Sequence, residues 1–486
     1  MTKRLVLILA AVILVNFFAG TIWGARVDPR KTVLPPPLLR GDESPDYLIS
    51  KAPNVFLGAF CGETAIHSPY DTILGCTWYD WQHSCRMPRM VANDYQEITA
   101  GGHGLHFTFM HQDFWGVGGK RFVNYAYWDA DSGWDSLPAP TITLPGRRAG
   151  YTGLDLFRPL DGYFKPHSRA VVCYHATEPV SPNDDNMGVV LSIEPDYAGD
   201  TSMWGGYYWY DIPDSADTPF KGMWPTCGVD SLNRIHIIMH EGDTAAGWSW
   251  MGYVRCEERA GDKLMCWAPG KDSVTLDKET QYYDPLNPIV TFELTGVIGS
   301  IVVTSKVSNK VALCYLTLAE SETDSSLYQV SNDVYYIEST NGGDDWFASE
   351  QLSDRINVTA YQPDDYHRAY SDLAAIYDMN DSLHIFWHTH YLSHNPLEID
   401  ILDVGLWHWS KATERVCDGE TLVANQVAHA QWEAMAGGWN RLISKMQAGV
   451  GYDPGLDNYN YLYVEWVQFD SGKTSQAGNM TQGDIY

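Results

Sequence analysis

GLHFTFMH (104–111), RAVVCYH (169–175), RIHIIMH (234–240), KVALCYL (310–316), SLHIFWH (382–388) and YLYVEWV (461–467) are six versions of one apolar run. Each is rich in β-branched and aromatic residues and too short for a helix, so each reads as a strand. Their last residues, His111, His175, His240, Leu316, His388 and Val467, recur with a mean spacing of about 71 residues. Most runs follow a turn signal, and before it stands another strand-like stretch such as SIVVTS (300–305) or SDLAAIY (371–377). A third stretch follows at VNYAYW (123–128), VVLSIE (189–194), WMGYVR (250–255), DVYYIE (333–338) and VGLWHW (404–409). Three visible strands plus a fourth, repeated in tandem without helical periodicity, describe the blades of an all-β propeller. At this period residues 53–486 hold about six four-stranded blades, with seven as the alternative. The final GDIY (483–486) matches NDVY (332–335), inside a third strand. The last blade is then either truncated or closed by the N-terminal strand DTILGCTWYDW (71–81), since ring closure removes an exposed edge.

Composition agrees with strands and turns. The 486 residues include 42 Gly and 25 Pro, and aromatics reach 13%. Lys and Arg total 32 against 61 Asp and Glu, a net charge of −29 that repels phosphate backbones and argues against nucleic acid as a partner. Hydrophobic residues at 45% argue against disorder. Lys3 and Arg4 precede an apolar run from Leu5 to Ala25, so residues 1–25 read as a secretory signal peptide or, if uncleaved, a membrane anchor. Residues 26–52 are a Pro-rich linker, and 53–486 the folded domain of an exported protein, secreted or held at the cell surface or in the periplasm. Nine cysteines permit disulfides there: one bridge among Cys61, Cys76 and Cys85, another between Cys256 and Cys266. Cys173 and Cys314 read as buried thiols within strands.

After the third strand of the fourth unit comes Ser339-Thr-Asn341-Gly-Gly343-Asp-Asp-Trp346, and Asp129-Ala-Asp131-Ser-Gly133 occupies the corresponding place in the first. The first of these resembles the Asp-box, Ser-x-Asp-x-Gly-x-x-Trp, with Asn in place of Asp. In such a turn a side-chain oxygen collects backbone N–H groups, Gly takes the left-handed conformation and Trp staples the turn to its blade. The chain thereby resembles the sialidase-like propellers with BNR repeats. The resemblance implies a ligand face opposite the Asp-box turns. For a catalytic member it implies an Arg cluster for a carboxylate, a Tyr nucleophile aided by Glu, and an Asp acid/base. Arg158, in a Phe-Arg-Pro sequence, and Arg368 and Arg441, at the starts of the fifth and sixth first strands, are the candidate Arg residues.

On the face so implied, four of the six second strands end in His: His111, His175, His240 and His388, with Asp113, Glu241 and His390 as neighbours. They read either as a metal or substrate site, imidazole being a ligand and a base near neutral pH, or as inherited strand-end rings bonded to nearby backbone. His388-Thr-His390 places two rings on one side of a strand. The acidic loop YDPGLDNYN (452–460) reads as a turn, or as a site for calcium as a structural ion. The aromatic run MWGGYYWY (203–210) reads as sheet packing or as a sugar-stacking surface. GxSxG, Walker, GxGxxG and HExxH motifs are absent, and no cofactor is expected. The reading is an exported β-propeller that binds extracellular glycans or other surface polymers without catalysis. A sialidase-type glycoside hydrolase and a metal-assisted polysaccharide lyase or hydrolase are the alternatives.

Overall fold

A computed structural model describes residues 89–485 apart from internal stretches, the longest being 159–167, 178–186, 196–203, 242–249, 347–354 and 432–441. The expected signal, linker, strand 71–81 and Cys61, Cys76 and Cys85 lie outside the described residues. What is described is nearly all β: one turn of 3₁₀ helix, Thr359–Tyr361, stands among thirty strands.

The strands form antiparallel sheets in sequence order. The first sheet runs Val91–Tyr95, His103–Gln112, Arg121–Asp129 and Gly133–Trp134. The second runs Ala149–Phe157, Arg169–Thr177, Met187–Ile193 and Gly205–Tyr210, with Gln281–Tyr282 added in parallel at its edge. Gly205–Tyr210 of the aromatic run is thus the fourth strand of its sheet, and Trp204, just before it, and Tyr207 are buried. The third sheet begins Gly222–Val229, Ile235–Glu241, Trp250–Arg259 and Lys263–Trp267. The fourth holds Ser300–Thr304, Val311–Leu318 and Asn332–Ser339, with the short Ile356–Asn357 on its outer strand. The fifth holds His367–Tyr377, Leu383–His394, Leu397–Ser410 and Ala424–Gln431, and one residue pair, Asn332 with Ala369, bridges it to the fourth. Three strands, Ile443–Asp453, Asn458–Thr474 and Thr481–Ile485, make the sixth.

Why the runs are continuously apolar is visible in the core. Alternate residues of a strand face opposite sides of its sheet, and both sides are covered. In the second sheet Val172 and Tyr174 pack toward the first, while Val171 and Cys173 pack toward Ile235 and Ile237 of the third. Further clusters fill the spaces between third and fourth, fourth and fifth, and fifth and sixth sheets. The first strand of each sheet also contacts the first strand of the next, from Val91–Tyr95 through to Ile443–Asp453.

Hydrogen bonds from those first strands to the next sheet repeat with the unit. Asp94 accepts from Ser168 N–H and Oγ, 74 residues on, and Asp155 from Val229 N–H, again 74 residues on. Thr226 Oγ1 accepts from Val302 N–H over 76 residues, and Asp372 from Lys445 N–H over 73. Asp155 is the most heavily used of these groups. It is buried, and takes Leu156 N–H at 2.9 Å, Val229 N–H at 2.7 Å, Lys306 Nζ at 2.9 Å and Arg89 Nη1 at 3.3 Å. Burial pushes its pKa up, but Lys306, Arg89 and the Val229 N–H outweigh that and hold it below the usual carboxylate range.

Turns between first and second strands carry their own carboxylate caps. Asp230 Oδ1 caps its own turn by accepting Leu232 and Arg234 N–H, with Asn233 at φ 61°; Asp378 does so with Asn380 and Ser382 N–H, with Asp381 at φ 64°. The Ser339 turn closes on the same logic. Ser339 Oγ accepts Gly343 N–H at 2.8 Å, Asn341 Oδ1 accepts Asp345 N–H at 3.0 Å, and Gly342 and Gly343 take φ 74° and 83°. Trp346 is buried edge-on against Tyr253 of the third sheet at 4.9 Å.

Two outcomes test this framework. Asp155→Asn should leave Lys306 and Arg89 without their carboxylate and cost about 3 kcal/mol, read as a lowered urea midpoint. Because the folded pKa of Asp155 is depressed, its contribution is present at neutral pH and disappears as pH falls through that folded value. The gap between the two proteins should therefore persist at pH 6 and close only in strong acid; a gap already absent at pH 6 counts against the assignment. Separately, Cys256 and Cys266 are directly opposed in register and fully buried, but both are free thiols with sulfurs 2.7 Å apart, so the expected bridge is not formed in the structure although oxidation could close it. After refolding with oxidised glutathione, denatured protein should resist alkylation at both; labelling of both would count against a bridge.

Candidate functional site

The start of each first strand, the end of each second and the start of each third share one end of the sheets, opposite the Ser339 turn. At that end the first strands are bulged. Their ladders skip between Gly150 and Gly153, Met223 and Thr226, Ala369 and Leu373, and Ser444 and Gln447. Tyr151, Trp224 and Lys445 occupy three of these bulges with φ of 53°, 47° and 57°, values that non-glycine residues adopt only where surroundings enforce them. One freed group is used, as Lys445 N–H reaches Asp372; in another bulge the Thr152 hydroxyl donates to Thr108 Oγ1.

The four strand-end His residues divide among these bulges. His175 and His240 are register equivalents, paired with Gly150 and Met223 just beyond the bulge. Both are buried: His175 lies edge-on to Tyr151 at 5.1 Å and His240 bonds Ser300 Oγ of the next sheet. His388 instead lies opposite its bulge, where Nδ1 accepts Asp372 N–H at 3.2 Å. His111 is out of step. The paired contacts of His106 with Tyr125 and His236 with Tyr253 equate Met110 with His240, so His111 points from the other side of its strand and stacks on Phe122. The expected circle of four equivalent imidazoles therefore does not form, because one extra residue in the first unit's strand reverses its side.

His388 and His390 share a side of their strand, but Tyr370 packs against both, at 5.6 and 4.6 Å. His390 Nε2 donates to Val330 carbonyl at 2.5 Å. Asp113 and Arg441 lie outside the described residues, and of Glu241 only the backbone is described. Arg158 lies at the far end of its first strand, where Asn233 accepts its N–H and Lys306 carbonyl accepts from its guanidinium. Arg368 starts its strand at the His-bearing end. Arg158 and Arg368 thus sit at opposite ends of their sheets, and the expected Arg cluster is not assembled from them.

What does assemble is a polar cavity of about 140 Å³ between the fourth and fifth sheets, beside the Asn332–Ala369 bridge. Asn332, Asp333, Asn357 and Thr359 line it from the fourth sheet's side, and Gln362, His367 and Arg368 from the fifth's. Asp333 accepts from Asn357 Nδ2 and Thr359 Oγ1, each at 3.0 Å, with Arg368 Nη1 3.7 Å away. Trp387 Nε1 donates to Gln362 and so fixes its amide. Two buried atoms of the lining lack a protein partner: Asn332 Oδ1, an acceptor, and Arg368 Nε, a donor. Tyr366, next to the lining residue His367 in sequence and 57% exposed, stacks on Tyr391 with centroids 5.8 Å apart.

His367 extends this lining to a further group. Its Nε2 lies 3.4 Å from Asp403 Oδ1, which also accepts His429 Nε2 at 2.7 Å, while Gln431 Nε2 donates to Asp403 Oδ2 at 3.0 Å. Burial alone would raise the Asp403 pKa, but the bonds from His367 and His429 bring it below its ordinary value. Among the described residues, this is where three His, Cys, Asp or Glu ligand atoms converge, all within 4.8 Å of one another. Sequence reasoning missed it, because 26 residues of sequence separate Asp403 from His429 and 36 separate it from His367.

No family model matches the chain, and no curated protein does. Solved structures similar to it include sialidases and polysaccharide lyases, all at low identity. The polysaccharide lyase Uly1 is 10% identical with a TM-score of 0.38, over 82% of this chain and 89% of that one. A Trypanosoma rangeli sialidase mutant displaying trans-sialidase activity is 9% identical with a TM-score of 0.39, over 79% of this chain and 52% of that one. An ulvan lyase bound to its oligosaccharide is 8% identical with a TM-score of 0.31, over 83% and 94%.

Burial pushes the pKa of His390 down to about 4, more than its bond to Val330 can restore. The unfolded chain then binds the proton first as pH falls from 6.5, so His390 destabilises the fold progressively toward pH 4. His390→Gln should reduce the loss of stability between pH 7 and pH 5 relative to wild type. Equal losses in the two urea series would refute a buried neutral imidazole.

Proposed function

We propose that this protein is an exported, six-bladed β-propeller of sialidase-like type whose cavity between the fourth and fifth sheets binds an extracellular glycan without catalysis. The observation that carries the reading is the pair of unpartnered buried atoms in that cavity, Asn332 Oδ1 and Arg368 Nε; the exposed Tyr366, stacked on Tyr391, adjoins the lining residue His367 in sequence. A sugar hydroxyl both donates and accepts, so it satisfies an orphan acceptor and an orphan donor together. Pyranose faces pack on aromatic rings, and Tyr366 presents such a ring to solvent. Six repeats, packed sheet on sheet with their first strands in contact, support a ring of blades, and a rigid ring with variable loops binds without needing chemistry. The net charge of −29 favours a neutral, hydroxyl-rich polymer over a polyanion.

The sialidase-type alternative loses support from the separation of Arg158 and Arg368. Glycan-array screening of the full chain, followed by calorimetry on the best neutral oligosaccharide, tests the binding reading. Tyr366→Ala should weaken that affinity by roughly three- to tenfold, the worth of one aromatic contact. Tyr463→Ala, an equally exposed ring on the sixth sheet, should not. Binding that ignores both Tyr366→Ala and Arg368→Gln would move the site elsewhere.

A further inference from the structure

We propose that His367, Asp403 and His429 form a binding site for a divalent transition-metal ion of the zinc class. The inference does not rest on the glycan reading.

The three ligands come from three different strands of the fifth sheet. His367 opens the first strand, opposite Tyr391. Asp403 lies in the third strand where the ladder to the second jumps from Asp400 to Val404, so a bulge of three residues re-aims it. His429 is on the fourth strand, two residues from Gln431, the residue paired with Asp403. Period-two alternation puts His429 and Gln431 on one side of that strand, facing the carboxylate. The bulge thus brings a first-strand imidazole within reach of a third-strand carboxylate, which a regular ladder would keep two strands apart.

Two imidazoles and one carboxylate are the ligand types that zinc, cobalt and nickel favour, and three protein ligands leave at least one position open. Both imidazoles already direct Nε2 at one oxygen, Asp403 Oδ1. Replacing the shared protons by an ion requires His429 Nε2 to move out from 2.7 Å and the widest pair, within 4.8 Å, to close in, both toward the roughly 3.4 Å separation set by bonds of about 2.0–2.1 Å, while His367 Nε2 already lies 3.4 Å from Asp403 Oδ1. The His429 side chain, 42% exposed, has room to make that movement. Gln431, bonded to the carboxylate's other oxygen, is the outer partner that such ligands require for orientation. An ordinary ion pair needs one imidazole on a carboxylate, as His394 on Glu322 shows; here two converge and a third group holds the acceptor. The open position would lie at the cavity rim, since His367 lines that cavity.

The test uses untagged full chain, stripped with chelator and titrated with zinc chloride by calorimetry, and with cobalt chloride by visible absorption. One saturable site per chain is expected, with cobalt bands of low coordination number. His429→Ala should weaken zinc binding roughly hundredfold or more, and Gln431→Ala about tenfold. His394→Ala should change neither. Absence of saturable binding, or a site that His429→Ala leaves intact in protein of unchanged circular dichroism, overturns the proposal. No glycan is present in these titrations, so their failure and that of the glycan experiment are separable.

Discussion

Much of the architecture turns on one buried carboxylate. Asp155 receives hydrogen bonds or ion pairs from Arg89, which precedes the first sheet, from its own strand, from Val229 of the third sheet and from Lys306, which follows the first strand of the fourth. A carboxylate this deep survives only if its charge is answered on every side. The answering groups are far apart in sequence, so the sheets must be stacked before the charge is tolerable, and once stacked they are locked. Asp94 with Ser168, Thr226 with Val302 and Asp372 with Lys445 are weaker versions of the same handover. Apolar clusters between sheets supply the bulk attraction, which is non-directional; the handovers set the register of one sheet on the next.

One of these handovers passes through a bulged first strand. The bulge at Ser444–Gln447 releases Lys445 N–H to Asp372, and positive φ at Tyr151, Trp224 and Lys445 is the conformational cost. The fifth sheet departs from its neighbours here. Its first-strand bulge leaves three residues, Tyr370, Ser371 and Asp372, between paired positions, where the second and third sheets leave two. A second bulge in its third strand displaces Asp403. The same sheet borders the polar cavity and carries the His–Asp–His convergence, so the irregularities and the chemically versatile groups coincide.

Repeat, strand type and sheet order were legible in the sequence because they are properties of periodic burial. Alternating faces that are both covered produce runs such as RIHIIMH and KVALCYL, and a unit that recurs prints its spacing. The handover bonds span 73 to 76 residues, close to the spacing of the apolar runs. Cys256 and Cys266 were also within reach, since a short hairpin fixes which residues oppose each other. The equivalence of the strand-end histidines was not. His111 aligns with His240 by eye, yet a single residue of register moves it across the sheet, and register is fixed by Tyr125 and Tyr253 answering His106 and His236.

The sequence by itself therefore determined an all-β, serially repeated chain of acidic character, because those follow from composition and local period alone. Only tertiary structure decided which polar groups meet. Arg158 and Arg368 read as candidates for one cluster and lie at opposite ends of their sheets, because a strand reverses position over its own length. His367, Asp403 and His429 carry no shared motif and converge, because two bulges and four adjacent strands bring them there. Bulges answer to contacts between sheets, and those contacts are not written at any fixed spacing along the chain.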